Sequence, residues 1–301
     1  MNSKQLQYVL TLAHEGSFSK AADTLSITQP SLSQYIKKIE REIGLELFNR
    51  TSGDIRITDA GRVYIEAGKR ILDIEHQMEN SFTDLAVYKT GSLIIGAAPY
   101  RVASMMPVIA KQFQSVHPGM HLIVREGTTA ELVEGMEHGE YDLALTLLPI
   151  DKRLFNYEPI VEEELILAVP ASHAPIPTTQ VPGRKHPAVE AKVLNGASMV
   201  MLTESQFMQK QLENLLLEKH LKVFTAATVK SLEAQIEFVK AGVGMALMPS
   251  RIERFCNDSS VTFYSFTDPL PKREVVVMWR KDQKLSKTAE ELKEVIHSIQ
   301  W

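Results

Sequence analysis

Residues 16–44 read GSFSKAADTLSITQPSLSQYIKKIEREIG, and this stretch decides the fold. Gly16 stops a helix that carries Leu6, Tyr8, Val9, Leu10 and Ala13 at helical spacing. Ser17 is placed to cap the next helix. Phe18, Ala21, Ala22 and Leu25 make a short apolar face, and Ser26-Ile27-Thr28 is a turn. Gln29-Pro30 opens a further helix, where proline is tolerated because it lies in the first turn. Leu32, Ile36, Ile39 and Ile43 are spaced four, three and four apart, which gives one buried stripe. Gly44 ends this helix. Residues 47–57 then predict a small β hairpin around Gly53-Asp54, with Ile55 and Ile57 facing in.

Helix, three-residue turn and helix over 18–40 form a helix–turn–helix, whose second helix lies in the DNA major groove. Its first turns offer Gln29, Ser31, Ser33, Gln34, Lys37 and Lys38. Glutamine pairs bidentately with adenine, and serine reaches bases or phosphate. Lys37, Lys38, Arg50 and Arg56 suit backbone phosphates. The competing reading is a solvated amphipathic pair with no DNA function.

Working outward, Thr58-Asp59 caps a long helix. Ala60, Tyr64, Ala67, Ile71, Ile74, Met78, Ser81, Leu85 and Tyr88 follow a 4-3 rhythm, a heptad seam of about four turns of the repeat. Thirty helical residues span roughly 45 Å. Such a seam needs a partner, either its own chain or a second copy, and the pattern favours a dimerising linker. From Gly91 the pattern becomes α/β, with strands and helices alternating, which implies parallel sheets in two lobes with a cleft between them.

Composition bounds the function. The chain has 301 residues and a net charge of −4, with 33 basic and 37 acidic side chains. The charge divides as about +1 over 1–58, −2 over 59–89 and −3 beyond, so the acidity belongs to the linker and the α/β part. One cysteine, Cys256, excludes an intrachain disulfide and a cysteine-rich zinc site. The N-terminus shows no signal-peptide pattern and no apolar run reaches about 18 residues, so a cytoplasmic protein without a membrane span is expected. His117 and His121 are separated by Pro118-Gly119, so no helical metal pair is expected. Gly242-Val243-Gly244 has no third glycine, and no catalytic motif stands out, so neither an enzyme nor a cofactor is expected. The basic run Arg184-Lys185-His186 reads as a solvated loop.

The run Gly16 to Ala22, then Leu25, Thr28-Gln29-Pro30-Ser31-Leu32-Ser33, Ile36, Ile39-Glu40, Gly44, Leu47-Phe48, Arg50, Thr58 and Ala60-Gly61, closely resembles the LysR-type transcriptional regulators. Gly91 to Gly96, Pro107, Phe113, His117-Pro118, Glu126-Gly127, Gly139 and Asp142-Leu143-Ala144 are similar to that family's first effector subdomain. Residues 241–249 are similar to its late glycine turn and strand. The resemblance implies a winged helix–turn–helix (1–58), a linker and dimerisation helix (59–89) and a two-lobed, periplasmic-binding-protein-like effector domain (90–301). Lobe 1 would hold about 90–161 and 267–301, and lobe 2 about 162–266. It implies a homodimer and a homotetramer on a double-stranded DNA operator, with a small molecule in the cleft.

Family DNA contacts fall on Gln29, Pro30, Ser31, Ser33 and the wing at Arg50, Thr51 and Ser52. Gln34-Tyr35 stands where many members have arginine and glutamine, which points to an adenine or phosphate contact there. The linker contacts would be Tyr64, Ala67, Ile71, Ile74, Met78 and Leu85. Effector candidates lie where strands end and helices begin. They are Ala98, Pro99, Tyr100 and Arg101; Thr128 and Thr129; Leu147 and Leu148; and Thr203, Glu204, Ser205 and Gln206. Arg101 offers a bidentate grip on a carboxylate, so an anionic metabolite is expected. The rival class is a two-lobed solute-binding protein or an enzyme without DNA function. A cleft filled by its own side chains would instead favour a regulator that senses no small molecule.

Overall fold

The computed structural model describes residues 2–51, 54–85, 91–203, 207–256 and 259–301. Ser52, Glu204, Ser205, Gln206 and the end of the expected linker at 86–89 lie outside the described residues, as do the side chains of Arg50, Thr51 and Leu85.

The reading head consists of α1 (Ser3–Glu15), α2 (Phe18–Thr24), α3 (Gln29–Ile43), β1 (Phe48–Thr51) and β2 (Asp54–Ile57). Thr28 caps α3 by accepting from the Ser31 N–H, and Pro30 sits in the first turn. Gly44 closes α3 at φ +78°, a left-handed conformation that glycine adopts without a Cβ penalty. Leu32, Ile36 and Ile39 are buried against Val9, Leu12, Ala21, Ala22 and Phe48. Two local expectations are corrected. Ile43, at the end of α3 beside the Gly44 turn, is 41% exposed and leaves the stripe. Ser17 stands at the cap position of α2 without a side-chain cap bond. The antiparallel wing is fastened to α3 by Glu40, whose Oε1 accepts from the Leu47 and Phe48 N–H groups at 2.9 and 3.2 Å.

Next comes α4 (Asp59–Leu85), 27 residues and so about 40 Å long. Thr58 starts it, accepting from the Gly61 N–H at 3.0 Å and donating to the Glu46 carbonyl at 2.6 Å. Its faces do different things. Tyr64 packs against the reading-head core and its hydroxyl is buried, so it is not on the exposed seam. The six-residue expectation is corrected there, because α1 covers that side of the helix. Val63, Ile71, Ile74, Met78 and Phe82 are exposed apolar side chains, with Ala67 exposed among them. On the opposite face Lys69 lies 3.4 Å from Glu140, Asp73 pairs with Arg280, and His76 lies 3.1 Å from Asp142. Gly139 (φ +71°) lies under the Asp73 carboxylate, where any Cβ would collide.

The α/β part begins with β3 (Gly91–Ala97), α5 (Pro99–Ser104), α6 (Met106–Val116), β4 (Met120–Glu126), α7 (Thr129–Glu137), β5 (Leu143–Leu147) and β6 (Phe155–Glu163). It continues with β7 (Leu165–Pro170), β8 (Ala188–Val189), β9 (Ser198–Leu202), α8 (Phe207–Glu218), β10 (Phe224–Val229), α9 (Leu232–Lys240), β11 (Ala246–Pro249) and β12 (Val261–Phe266). Finally β13 (Arg273–Arg280) and α10 (Lys287–Ser298) return to the first sheet. One sheet has the order β4-β3-β5-β13-β6, and another β11-β7-β12-β8 beside the parallel pair β9–β10. Each has its own apolar core.

The sheets are mixed rather than parallel. β13 runs antiparallel to β5 and β6, and β7 runs antiparallel to β11 and β12. The sequence pattern misses β6 and β12. β6 is an edge strand whose polar NYEPIVEE run gives no apolar signal, and β12 is short. The chain crosses between sheets twice, at Glu164 and between Phe266 and Arg273, and Glu163 faces Arg273 in register beside both crossings.

In the basic run 184–186 only Lys185 is exposed, and Arg184 and His186 are largely buried. Arg184 donates to the Phe266 carbonyl and to Glu164 (3.3 Å), so it ties one crossing to the other. Lys185 and His186 both pair with Glu253. Sequence patterns carry no information about such distant carboxylates.

Glu40→Ala should free two backbone donors and loosen the wing. Hydrogen exchange at the Leu47 and Phe48 amides should quicken by roughly tenfold or more, since bonds to a charged group contribute about 1.5–3 kcal/mol. Unchanged exchange would contradict this role.

Candidate nucleic-acid interface and effector cleft

The outer side of α3 is polar and open. Gln29, Pro30, Gln34, Lys37 and Lys38 are exposed, and Ser31 and Ser33 are half-buried. Ser31 Oγ lies 2.7 Å from Thr28 Oγ1, so its hydroxyl supports the cap. Lys38 stands 4.0 Å from Glu42, an exposed pair of small energetic weight. Arg56 is exposed on β2, opposite Asn49. Tyr35 meets the Tyr8 ring edge-on at 5.0 Å, and it and Gln34 are both exposed.

Between the two sheets lies a cavity of about 400 Å³. This is small-molecule size, at the low end of ligand sites. Ala98, Pro99, Tyr100, Arg101, Thr128, Thr129 and Leu147 line it as expected from the strand-end rule. Leu148 and Thr203 are not among its walls. The Leu148 and Thr203 N–H groups are bonded to the carbonyls of Glu274 and Val229. The sequence reading missed Thr146, Phe207, Met208, Lys230, Ser231, Glu233 and Arg273, which also line the cavity. Ser231, the cap of α9 after β10, was findable by the same rule. Arg273 was not, because it enters from the return crossing rather than from a strand-to-helix turn.

Thr128 caps α7 in a reciprocal box. Glu131 Oε2 accepts from its N–H at 2.6 Å, and its Oγ1 accepts from the Glu131 N–H at 3.3 Å. These bonds hold the Glu131 carboxyl below its usual range.

Arg101 differs from its expected role. It is 2% exposed, and its two terminal nitrogens donate to Glu163 at 2.7 and 2.8 Å. The bidentate grip is thus used inside the protein, on a carboxylate that is itself fully buried. Arg251 and Arg273 also face Glu163, at 3.8 and 3.9 Å. Burial alone would raise the Glu163 carboxyl; the guanidinium of Arg101, with Arg273 and Arg251 behind it, holds it below the ordinary range. Burial, then repulsion from Arg101, pulls Arg273 down to about 10, so it stays charged at neutral pH. Its Nε and Nη1 are buried with no hydrogen-bond partner among the described residues, and so is the hydroxyl of Tyr100. Burial and Glu163 push that phenol far up, which keeps it protonated. Thr146 Oγ1 is another buried polar atom without a partner there.

Two family models match the chain: the bacterial regulatory helix-turn-helix protein, lysR family, over residues 3–62, and the LysR substrate binding domain over residues 88–299. The chain belongs to the LysR family of transcriptional regulators. It is similar to the uncharacterized HTH-type transcriptional regulator YcgK of Bacillus subtilis, 28% identical over 98% of this chain and 94% of that one. It is also similar to the DNA-binding transcriptional dual regulator OxyR of Escherichia coli, 25% identical over 99% and 95%. Among solved structures, CbnR, a LysR family transcriptional regulator, superposes with a TM-score of 0.69 at 18% identity, covering 99% of each chain. A full-length OxyR variant from Pseudomonas aeruginosa gives 0.64 at 24%, covering 99% and 94%. The relatives are regulators, not enzymes. No helix among the described residues is long and apolar enough to cross a membrane.

Several LysR relatives are named as hydrogen peroxide-inducible genes activators. This member carries one cysteine, half-buried Cys256 beside the second core, so an intrachain disulfide cannot form.

Glu163→Gln should cost about 3–5 kcal/mol at pH 7, because it strands buried guanidiniums without a counter-charge. Urea unfolding followed by Trp279 and Trp301 fluorescence measures this. The Glu163 carboxyl is lowered in the folded state, so its contribution is present above the ordinary carboxylate pKa of about 4.3. It drains away as pH falls through the lowered value. The gap between wild type and variant should therefore narrow in acid; a gap independent of pH would contradict the ion pair.

Proposed function

We propose that this LysR-type regulator binds a double-stranded DNA operator through α3 and the wing, and that a small anionic metabolite in the cleft sets its action there. The observation that carries the effector reading is a buried cation with unsatisfied donors at the cleft. Three guanidiniums surround one carboxylate, and Arg273 has two buried donors to spare. An anion supplies what those donors lack, and Thr128, Thr129 and Tyr100 stand beside the same space.

On the DNA side, Gln29 and Gln34 are the exposed amides for base edges, with Pro30, Ser31 and Ser33 alongside. Lys37, Lys38, Arg50 and Arg56 serve phosphates, and Thr51 and Ser52 belong to the wing contact. The structure of full-length CbnR complexed with its target DNA has this chain's fold, with a TM-score of 0.67 at 19% identity. The chain works in the cytoplasm, where its operator lies.

Self-association through α4 is part of the same proposal. Val63, Ala67, Ile71, Ile74, Met78 and Phe82 present an apolar strip on the face turned away from the chain's own domains. A second copy of the same helix covers such a strip best, with Leu85 continuing the seam. A homotetramer would follow from pairing two such dimers.

Gel-shift titration against the chain's own upstream DNA tests the DNA reading. Gln29→Ala should weaken specific binding by about 1–3 kcal/mol while leaving non-specific binding unchanged. Equal affinity for operator and scrambled DNA in the wild type would overturn the reading. Ile74→Asp should shift the sedimentation coefficient toward monomer and lower operator affinity together. A variant that remains fully associated would show that the strip is not the interface.

A further inference from the structure

We propose that the cleft takes an α-amino acid, its carboxylate on Arg273 and its ammonium on Glu233. This deepens the anionic-effector reading above and rests on it.

Two groups of opposite sign share one cavity, buried Arg273 and half-buried Glu233. Arg273 is 6% exposed, and its Nε stands 3.9 Å from Glu163, beyond hydrogen-bond reach. Its guanidinium lies 5.8 Å over the ring of Phe207, another wall of the cavity, and its Nε and Nη1 have no hydrogen-bond partner among the described residues. A carboxylate accepts a charge-assisted bond from either of these donors.

Glu233 is the second group. It lies in the first turn of α9 behind the Ser231 cap. Its Oε1 is buried and has no hydrogen-bond partner among the described residues. A ligand bearing only negative charge would answer Arg273 and be repelled by Glu233. A ligand with an ammonium beside its carboxylate answers both. Tyr100 and Thr146 add two buried hydroxyls without partners among the described residues, suited to the second face of the carboxylate. Leu145, Leu147 and Met208 supply an apolar wall for a side chain. A cavity of about 400 Å³ matches a ligand of this size.

The two poles come from different parts of the domain. Arg273 begins β13 at the return crossing, and Glu233 belongs to α9, which packs on β9 and β7 in the second core. A zwitterion held by both bridges the crossing and the second lobe. An anion on Arg273 alone makes no such bridge.

The test uses the full-length protein and three sets of probes: the standard α-amino acids, their matched 2-oxo acids and their matched primary amines. Thermal shift ranks them, and calorimetry gives Kd. The expected result is that at least one amino acid raises Tm, while its 2-oxo acid and its amine bind roughly thirtyfold or more weaker. Glu233→Gln, on a half-exposed helical turn, should keep the ligand-free Tm and weaken that amino acid by a similar factor, with no loss for carboxylates lacking the amine. If 2-oxo acids bind as tightly as amino acids, or if Glu233→Gln leaves amino-acid affinity intact, this assignment is overturned while the anionic-effector reading stands. If the amines alone bind, both are overturned; if no probe binds, the amino-acid assignment is overturned.

Discussion

A fully buried carboxylate, Glu163, held in both oxygens by Arg101, is the interaction on which the sensing domain depends. Removing two charges from water costs several kcal/mol per ion, and only close, bidentate geometry offsets it. The pair sits where that cost has a structural return. Glu163 is the last residue of β6 before the chain leaves the first sheet, and Arg273 opposite it is the first residue of β13 as the chain comes back. The pair therefore fixes the start of both crossings. Arg184 fastens the same crossings from the outside through Glu164 and the Phe266 carbonyl. What the pair leaves over is charge: Arg273 and Arg251 share a counter-ion already committed to Arg101. A buried cation with idle donors at the wall of a cavity is a poor stabiliser and a good ligand group, which is why this place reads as sensor rather than scaffold.

The long helix carries the other constraint. One strip of α4 is bound to its own chain by polar pairs, Lys69, Asp73 and His76 against Glu140, Arg280 and Asp142. The opposite strip is apolar and exposed. The heptad rhythm reports the second strip and is blind to the first. It also misassigns Tyr64, because a 4-3 pattern does not tell a residue under α1 from one facing outward. In the proposed dimer, the polar strip links the sensing domain to the same rod that spaces the two reading heads.

How legible this was in the sequence depended on how local the cause was. The reading head was nearly complete in the text of residues 16–44, since caps, the glycine turn and the apolar stripe act within a few residues. Ile43 was misplaced for a local reason as well, its position at the very end of the helix. The cleft was legible where a strand runs straight into a helix, at residues 98–101 and 128–129. It was not legible at Arg273 or Glu163, whose meaning arises from pairing across 110 positions of chain. Arg101 shows the limit most sharply. It lines the cavity, but nothing near it in sequence reveals that Glu163 already occupies its guanidinium.

The most direct measurement is a crystal structure of the protein with the metabolite that changes its operator binding. The predicted result is an anionic group of that metabolite within hydrogen-bond distance of Arg273 Nε or Nη1, with the Arg101–Glu163 pair unbroken beneath it. A metabolite seated elsewhere, with those two nitrogens of Arg273 still unpartnered, would contradict it.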